Sequence, residues 1–284
     1  MKVCHHKTPG VFGHLVNSAA FFDTIAVHVW GKRRTMSLDH VSTGKNRPIG
    51  GHGRVYARGV PGCNKPTGNS VQFKYGVLLP YKNLSPFVVI VWADRLPVTW
   101  ADVTLVIDAF LRRGWRAQIA LVELTFDTEG IPFDRFSQEL CTTARTVREF
   151  EGEHGNTLYV GGSNSSWRLK IYRKTCAVVR IEFTFQSRFL RKHGISRPQE
   201  LSLLRKVNLW DQISFRKIDQ THGHSLPPRI RDTWTRLGHG LPPADLPPSV
   251  LLKTLRRVRV DPTLFIVRST REKLLRHMQR NLIW

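Results

Sequence analysis

A tyrosine and a carboxylate lie on neighbouring strand-like segments in the middle of the chain. In residues 168–172 (RLKIY) every second residue is polar, ending at Tyr172, and the residues between are apolar. Residues 178–185 (VVRIEFTF) repeat this alternation, with Arg180 and Glu182 among the polar positions. Because strand side chains alternate between two faces, the pattern predicts a sheet with an apolar core side and a polar side. A polar side that carries a tyrosine, a carboxylate and cations suits chemistry on a phosphodiester.

A further strand-like segment, residues 120–127 (ALVELTFD), adds two acids, Glu123 and Asp127, on one face. Aspartate is disfavoured in an ordinary half-buried strand, so its presence there indicates a special environment. If this polar face coincides with that of Glu182, the three carboxylates form a hard-oxygen site for Mg²⁺ or Mn²⁺. Tyr172 is then the candidate nucleophile.

Each of these residues also has a structural interpretation. Glu123 and Asp127 could pair with surface arginines, and Glu182 lies two residues from Arg180 on the same strand face, so an ion pair is the alternative. Strand tyrosines are ordinarily edge or core residues, and Tyr159 is a rival nucleophile.

The reactivity of Tyr172 depends on its charge state. A free tyrosine has a pKa near 10, so it is a poor nucleophile at neutral pH. The neighbouring cations Lys170 and Arg173 would favour the phenolate, and we therefore expect them to lower the pKa of Tyr172.

Residues 157–185 resemble the signature region of the replication initiation factor family. TLYVGG, a short polar turn, RLKIYRK and VVRIEFTF follow one another there. VELTFD at residues 122–127 matches the family's upstream strand of the type hydrophobic-acid-hydrophobic-x-hydrophobic-Asp, and FFDTIAVHVW at residues 21–30 resembles its first strand. The resemblance extends over roughly residues 21–191.

Proteins of this family start rolling-circle replication of small plasmids and of some filamentous phages. The resemblance implies an origin-nicking and strand-joining endonuclease in which Tyr172 matches the family tyrosine. Glu123, Asp127 and Glu182 match the family acids and would bind Mg²⁺ or Mn²⁺. The implied partners are single-stranded or supercoiled origin DNA and a host helicase. Basic residues around the tyrosine are the predicted DNA contacts: Arg168, Lys170, Arg173, Lys174 and Arg180.

One departure from the family pattern supports a second hypothesis. The residue after the tyrosine is commonly acidic in the family, but here it is Arg173. The alternative is therefore a catalytically inactive, basic DNA-binding protein on the same scaffold.

The charge of the chain independently favours a polyanionic partner. Lys and Arg number 44 against 21 Asp and Glu, a formal charge of +23 in 284 residues. Residues 188–284 hold 20 basic and 7 acidic residues, so they carry +13. Such an excess indicates a polyanionic partner rather than a particular fold. Nucleic acid is the leading partner; a membrane surface is the alternative, but no long basic amphipathic helix with a clean apolar face stands out. We expect residues 188–284 to supply much of the DNA affinity.

The order of the segments predicts an α+β fold with a largely antiparallel sheet, helices packed on one face and a basic helical C-terminal region. We divide the chain into a flexible tail (1–20), a replication-initiator-like nicking domain (21–195) and the C-terminal region (196–284) with a Pro-rich linker (226–248). Helices are predicted over residues 99–113, 133–150, 196–217 and 249–260, and from Pro262 to about Arg280. Thr99 and Asp102 form a capping box for the first helix.

The chain has no long apolar run and no signal-peptide pattern, so we expect no membrane association. Its four cysteines are widely spaced. Reduced thiols in the cytoplasm are the simplest interpretation.

Overall fold

A computed structural model of the chain describes residues 19–32, 53–58, 70–75, 87–93, 97–142, 144, 146–152, 155–210, 213–218 and 266–284. A nine-stranded antiparallel sheet dominates these residues, with the strand order β2-β3-β4-β1-β5-β10-β9-β8-β7. The strands of this sheet are β1 (Phe21–Trp30), β2 (Gly53–Arg58), β3 (Ser70–Tyr75), β4 (Phe87–Trp92), β5 (Arg116–Glu129), β7 (Val147–Gly152), β8 (Gly155–Val160), β9 (Trp167–Arg173) and β10 (Val178–Gln186). The predicted α+β class is confirmed.

Three short strands form a second sheet in the order β12-β11-β6. They are β6 (Leu140–Thr142), β11 (Ile213–Ile218) and β12 (Ile266–Arg268). The helices are α1 (Trp100–Phe110), α2 (Phe133–Glu139), α3 (Ser187–Lys192) and α4 (Thr270–Arg280), with a 3-10 helix at Pro198–Arg205. Among the described residues, no helix combines the length and apolarity that a membrane crossing requires.

Helix α1 forms as its sequence predicts. The Thr99 hydroxyl accepts a hydrogen bond from the Asp102 amide, and the Thr99 amide donates to the Asp102 carboxylate. This capping box satisfies two amide donors at the helix start. The apolar residues on one side of the helix are buried: Val103, Val106, Ile107 and Phe110. Gly114 adopts a positive φ of 89° in the turn before β5, a conformation that glycine permits at little cost.

The helix predicted over residues 133–150 is wrong beyond Glu139. Residues 140–142 form β6, and residues 147–152 form β7, which pairs with β8. Phe136, Leu140 and Val147 have helical spacing, and 147–152 (VREFEG) shows no period-two alternation that would have marked a strand. Pairing with β8 satisfies the backbone of that segment, and the threonines before it are poor helix formers.

The helix predicted over residues 196–217 is also wrong. In the described part of this range, Pro198–Arg205 forms a 3-10 helix and Ile213–Ile218 is a strand. The Glu200 carboxylate accepts hydrogen bonds from the amides of Ser196 and Arg197, which closes the first turn. In β11, Ile213 and Phe215 are buried, so the strand alternation decides this segment.

Helix α4 lies within the segment predicted from Pro262 to Arg280. The linker at 226–248, the helix at 249–260 and tail residues 1–18 fall outside the described residues. Leu275 and Met278 of α4 are fully buried and belong to the core that the apolar sheet face shares with α1 and α3. The Ala20 amide donates to the Met278 carbonyl, so the C-terminal helix is attached directly to the start of β1.

Candidate active site

Strand β10 brings the predicted site residues together because it lies between β5 and β9. Arg180 is opposite Asp127 on β5 and opposite Tyr172 on β9. Two residues further on, Glu182 is opposite Lys170. Directly opposite residues share a face of the sheet. The tyrosine, both cations and these carboxylates therefore lie on one polar face, as the alternation predicts.

A β-bulge in β1 adds a carboxylate that the sequence analysis missed. Phe22 is opposite Leu124 and Thr24 is opposite Glu123, with a register shift between them, so Asp23 is the extra residue. Its carboxylate accepts a 2.9 Å hydrogen bond from Arg180 Nη1. An acid within the mainly apolar segment FFDTIAVHVW was the available signal, but the alternation does not reveal a bulge. The polar-face cluster is defined as Asp23, Glu123, Asp127, Tyr172, Arg180 and Glu182.

Arg180 is the centre of this cluster. Its Nε donates to Asp127 Oδ1 at 2.6 Å, and its Nη2 donates to Asp127 Oδ2 at 2.7 Å. Arg180 Nη1 also lies 3.8 Å from Glu182 Oε1. Burial opposes the charge, but the hydrogen bonds and charge of Asp127, followed by the charge of Asp23, outweigh it and raise the pKa of Arg180.

The placement of Arg180 corrects its prediction as a DNA contact. Its side chain is only 7 % exposed, and its guanidinium is committed to two carboxylates. The structural interpretation of the sequence, an arginine paired with the strand acids, describes this residue. Lys174 Nζ supports the pair from the surface, 3.1 Å from Asp127 Oδ2.

The Tyr172 hydroxyl is within hydrogen-bond reach of a carboxylate base. It donates to Glu182 Oε1 at 2.6 Å. Lys170 Nζ lies 3.4 Å from Glu182 Oε2 and 3.9 Å from the centroid of the Tyr172 ring. A nucleophile that donates to a positioned base is the arrangement that activates weak hydroxyl nucleophiles.

The expectation that cations lower the pKa of Tyr172 is wrong. Burial, then the charge of Glu182 and the hydrogen bond to it, raise the pKa of Tyr172 above its ordinary value. Arg173 has no part in this balance, because it is exposed and lies opposite Val179, whose side chain belongs to the core. The tyrosine is therefore neutral in the resting protein, and its proton has an acceptor.

Glu123 and Asp23 complete the carboxylate side of the cluster. Glu123 accepts hydrogen bonds from the hydroxyls of Thr24, at 2.6 Å, and Thr184, at 3.3 Å. Burial raises the pKa of Asp23 to about 6; the charge of Arg180 opposes the shift, whereas the charges of Glu182 and Glu123 add to it. Glu123 and Glu182 are thus each close enough to Asp23 to repel its carboxylate.

The predicted magnesium or manganese site can be tested against these contacts. Among the described residues, no group of three or more His, Cys, Asp or Glu side chains has metal-site spacing. Both oxygens of Asp127 bind Arg180, so Asp127 does not fit its predicted role as a ligand. Carboxylate oxygens that repel one another are nevertheless the donors that a hard divalent cation prefers.

Thr125, which neighbours the predicted metal site in the sheet, has a hydroxyl without a hydrogen-bond partner among the described residues. It lies between Glu123 and Asp127 on β5 and opposite Glu182 on β10. Its Oγ1 is buried. The water of a bound cation would satisfy such a group, but the carboxylates of Asp23, Glu123 and Glu182 do not have the spacing of a metal site in this structure.

The remaining predicted cations surround the tyrosine unequally. Arg168, opposite Thr184, is half-buried on the polar face, and Lys170 and Lys174 each contact an acid of the cluster. Arg173 is exposed, but the strand alternation directs it to the other face. Arg173, the residue that departs from the family pattern, therefore lies on the opposite face of the sheet from the polar-face cluster.

No protein-family model matches this sequence, and a comparison with curated proteins gives no match either.

Proposed function

We propose that this protein is a rolling-circle DNA replication initiator, an enzyme that nicks one strand of its origin and later rejoins it with Tyr172 as the nucleophile. The observation that carries the proposal is the 2.6 Å hydrogen bond from the Tyr172 hydroxyl to Glu182 Oε1. It supplies a nucleophile and its proton acceptor within a carboxylate cluster on a basic protein.

In the proposed reaction, the Tyr172 oxygen attacks the phosphorus of a phosphodiester while its proton passes to Glu182. A bond forms between phosphorus and the tyrosine oxygen as the bond from phosphorus to the DNA 3′ oxygen breaks. The 3′ oxygen takes a proton from water and becomes a 3′-hydroxyl that a polymerase can extend. Attack of a 3′-hydroxyl on the phosphotyrosine reverses the step and joins the strand.

The raised pKa of Tyr172 makes the base necessary. A neutral, partly buried phenol reacts slowly unless its proton leaves as the new bond forms, so a carboxylate in hydrogen-bond contact contributes directly to the rate. Lys170 holds the other oxygen of Glu182 and fixes the orientation of the carboxylate.

The proposed cofactor is Mg²⁺ or Mn²⁺, and its proposed protein ligands are Asp23, Glu123 and Glu182. Such an ion would polarise the scissile phosphate and offset the negative charge that develops on it. Asp127 instead holds Arg180, which keeps the carboxylates of β1, β5 and β10 on one face.

DNA is the proposed substrate because the chain carries +23 and exposes basic residues beside the tyrosine face. A polyanion gains affinity for such a surface by releasing its counterions. A host helicase is a further proposed partner, because a nicked origin must be unwound.

A catalytically inactive DNA-binding protein on the same scaffold is the second candidate. The ion pairs of Arg180 with Asp127 and Asp23 favour it, because they could hold three strands together without any chemistry. In that case Tyr172 and Glu182 form an ordinary, partly buried hydrogen bond.

Incubation of the protein with supercoiled DNA that carries the origin of its own replicon, in Mg²⁺ or Mn²⁺, distinguishes the two candidates. We expect nicked circles and a detergent-resistant protein–DNA adduct. Tyr172→Phe removes only the hydroxyl, so the variant should bind DNA but form no adduct. The matched control, Tyr159→Phe, should cleave normally.

Two results would contradict the assignment. An adduct formed by Tyr172→Phe excludes Tyr172 as the nucleophile, and loss of the adduct in Tyr159→Phe transfers the role to Tyr159. If the wild-type protein binds its origin tightly in both metals but never nicks it, the inactive DNA-binding protein is the better description.

A further inference from the structure

The β7–β8 end of the sheet carries two exposed aromatic side chains in contact. Phe150 is 51 % exposed and Tyr159 is 37 % exposed. Their ring centroids lie 5.5 Å apart at an interplanar angle of 84°. Exposed aromatic rings place apolar area in water and favour unwanted association, so such a pair indicates a binding role.

This aromatic pair shares a face with the candidate nucleophile. Tyr159 on β8 is directly opposite Lys170 on β9, and Thr157 is directly opposite Tyr172. Tyr159 is therefore a diagonal neighbour of Tyr172, at roughly 7–8 Å between backbones. The contact between Phe150 and Tyr159 extends the same surface to β7, the last strand in the order.

The charges on this surface favour a polyanion. Arg148 is exposed and directly opposite Tyr159, and Lys170 lies on the other side of that tyrosine. The acids of β7, Glu149 and Glu151, alternate to the opposite face. Aromatic rings interleaved with cations are the pattern that binds single-stranded nucleic acid, since every base offers a face for stacking.

We propose that Phe150 and Tyr159 form a stacking platform for unpaired bases of single-stranded DNA, with Arg148 contacting the neighbouring phosphates. The platform holds the strand that Tyr172 attacks, so the identity of the ligand rests on the proposed function. Base stacking prefers single strands to a duplex, in which the bases already stack on one another. As a rival nucleophile Tyr159 would act through its hydroxyl, whereas in the proposed platform it binds DNA through its ring.

Fluorescence anisotropy with a labelled oligothymidine, and with a duplex of the same length, tests the platform in metal-free buffer. Loss of one stacking ring should weaken single-strand binding about tenfold in Phe150→Ala and in Tyr159→Ala, with little change for the duplex. Tyr159→Phe keeps the ring and should bind as the wild type does. Leu105→Ala, at an exposed apolar residue (46 %) on α1, controls for lost surface area.

The salt dependence separates stacking from charge. Arg148→Gln should make the log–log salt slope on the oligothymidine shallower by about 0.7, whereas Phe150→Ala should leave the slope unchanged. Unchanged single-strand affinity in both alanine variants overturns the proposal, and so does an equal loss on the duplex. If light scattering shows that the alanine variants only convert a dimer into a monomer, the pair is a contact between copies of the chain, and the proposal is wrong.

The binding assay does not depend on cleavage, so the two proposals can fail separately. Weakened single-strand binding in the alanine variants of a protein that never nicks DNA supports the platform and rejects the enzyme. Normal single-strand binding by Phe150→Ala in a protein that nicks its origin rejects the platform and keeps the enzyme. Circular dichroism confirms that each variant is folded.

Discussion

The Tyr172 hydroxyl donates a 2.6 Å hydrogen bond to Glu182 Oε1, and this contact has two opposing consequences. It stabilises the neutral phenol, because Glu182 raises the pKa of Tyr172 through its charge and by accepting the bond. It also places a proton acceptor on the atom that would attack DNA. In the proposed enzyme, this pair would keep the nucleophile neutral before the substrate binds.

The first prediction concerns the ionisation of Tyr172. An ordinary tyrosine is half ionised near pH 10, but burial and Glu182 should keep Tyr172 neutral there. The ultraviolet difference titration between the wild type and Tyr172→Phe reports this group alone. Glu182→Gln should lower the pKa of Tyr172, though not to its ordinary value because burial remains, and should slow nicking. A Tyr172 that titrates at or below pH 10 in the wild type would refute this account.

The second prediction concerns the pH dependence of stability through Asp23. Its pKa rises from 3.8 to about 6 on folding, so the folded protein holds the proton more tightly than the unfolded chain. The free energy of unfolding should therefore fall as the pH rises from about 4 to about 6, by on the order of 2 kcal/mol from this group.

Asp23→Asn keeps a hydrogen-bond acceptor for Arg180 and removes the titration. Urea unfolding between pH 4 and pH 7 should show a flatter profile for Asp23→Asn than for the wild type. Asp134→Asn, at an exposed acid on α2, is the control and should keep the wild-type profile. Parallel profiles for the wild type and Asp23→Asn would show that Asp23 ionises normally.

Much of this cluster was predictable because strand alternation is a local property of the sequence. The period-two pattern of residues 168–172 and 178–185 predicts that Tyr172 and Glu182 lie on the polar side of their strands. The pattern of VELTFD predicts the same for Glu123 and Asp127. The pairing of β5 with β10 was a hypothesis, since sequence parity does not say which strands are neighbours. The structure supplies that pairing.

Other features depend on contacts between distant residues and were not predictable. Asp23 enters the cluster through a bulge, which breaks the alternation that sequence analysis relies on. Val147 and Phe150 have the spacing of a helical stripe, whereas in β7 they lie on opposite faces, and only the pairing with β8 makes this segment a strand. Arg180 was predicted to contact DNA because local sequence does not report burial, whereas two acids from other strands enclose it.

The third prediction separates the roles of the acids. In calorimetric titrations with Mn²⁺ at pH 7.5, Asp23→Asn and Glu123→Gln should weaken binding about tenfold or more, since each removes a charged donor. Wild-type affinity should fall as the pH drops through about 6, because Asp23 must lose its proton to bind a metal.

Asp127→Asn should behave differently from these variants. It leaves Arg180 buried without its bidentate partner, so we expect a loss of roughly 3 kcal/mol or more in the free energy of unfolding. Urea unfolding of the metal-free protein measures that loss. A stable Asp127→Asn protein that no longer binds Mn²⁺ would return Asp127 to its predicted role as a ligand.

The last prediction concerns the basic C-terminal region. Truncation near Pro248 would remove α4, whose Leu275 and Met278 lie in the core and whose Glu272 is fully buried. Glu272 accepts hydrogen bonds from the Phe215 amide at 2.9 Å and from Arg276 Nε at 3.0 Å. The truncated protein should therefore unfold, and circular dichroism should show it, so weak DNA binding by that protein would not locate the DNA contacts.

Charge substitutions on α4 test the DNA contacts of this helix without unfolding the protein. Lys273 and Arg280 are exposed, so Lys273→Gln with Arg280→Gln should leave the fold and melting temperature unchanged. If both side chains contact phosphates, the double variant should bind duplex DNA more weakly, with a log–log salt slope shallower by about 0.9 per lost contact. Lys273→Arg with Arg280→Lys keeps both charges and should retain the wild-type slope. An unchanged salt slope in the folded glutamine variant would exclude Lys273 and Arg280 of α4 from the DNA interface. The phosphate contacts would then be sought on the sheet face that carries Tyr172.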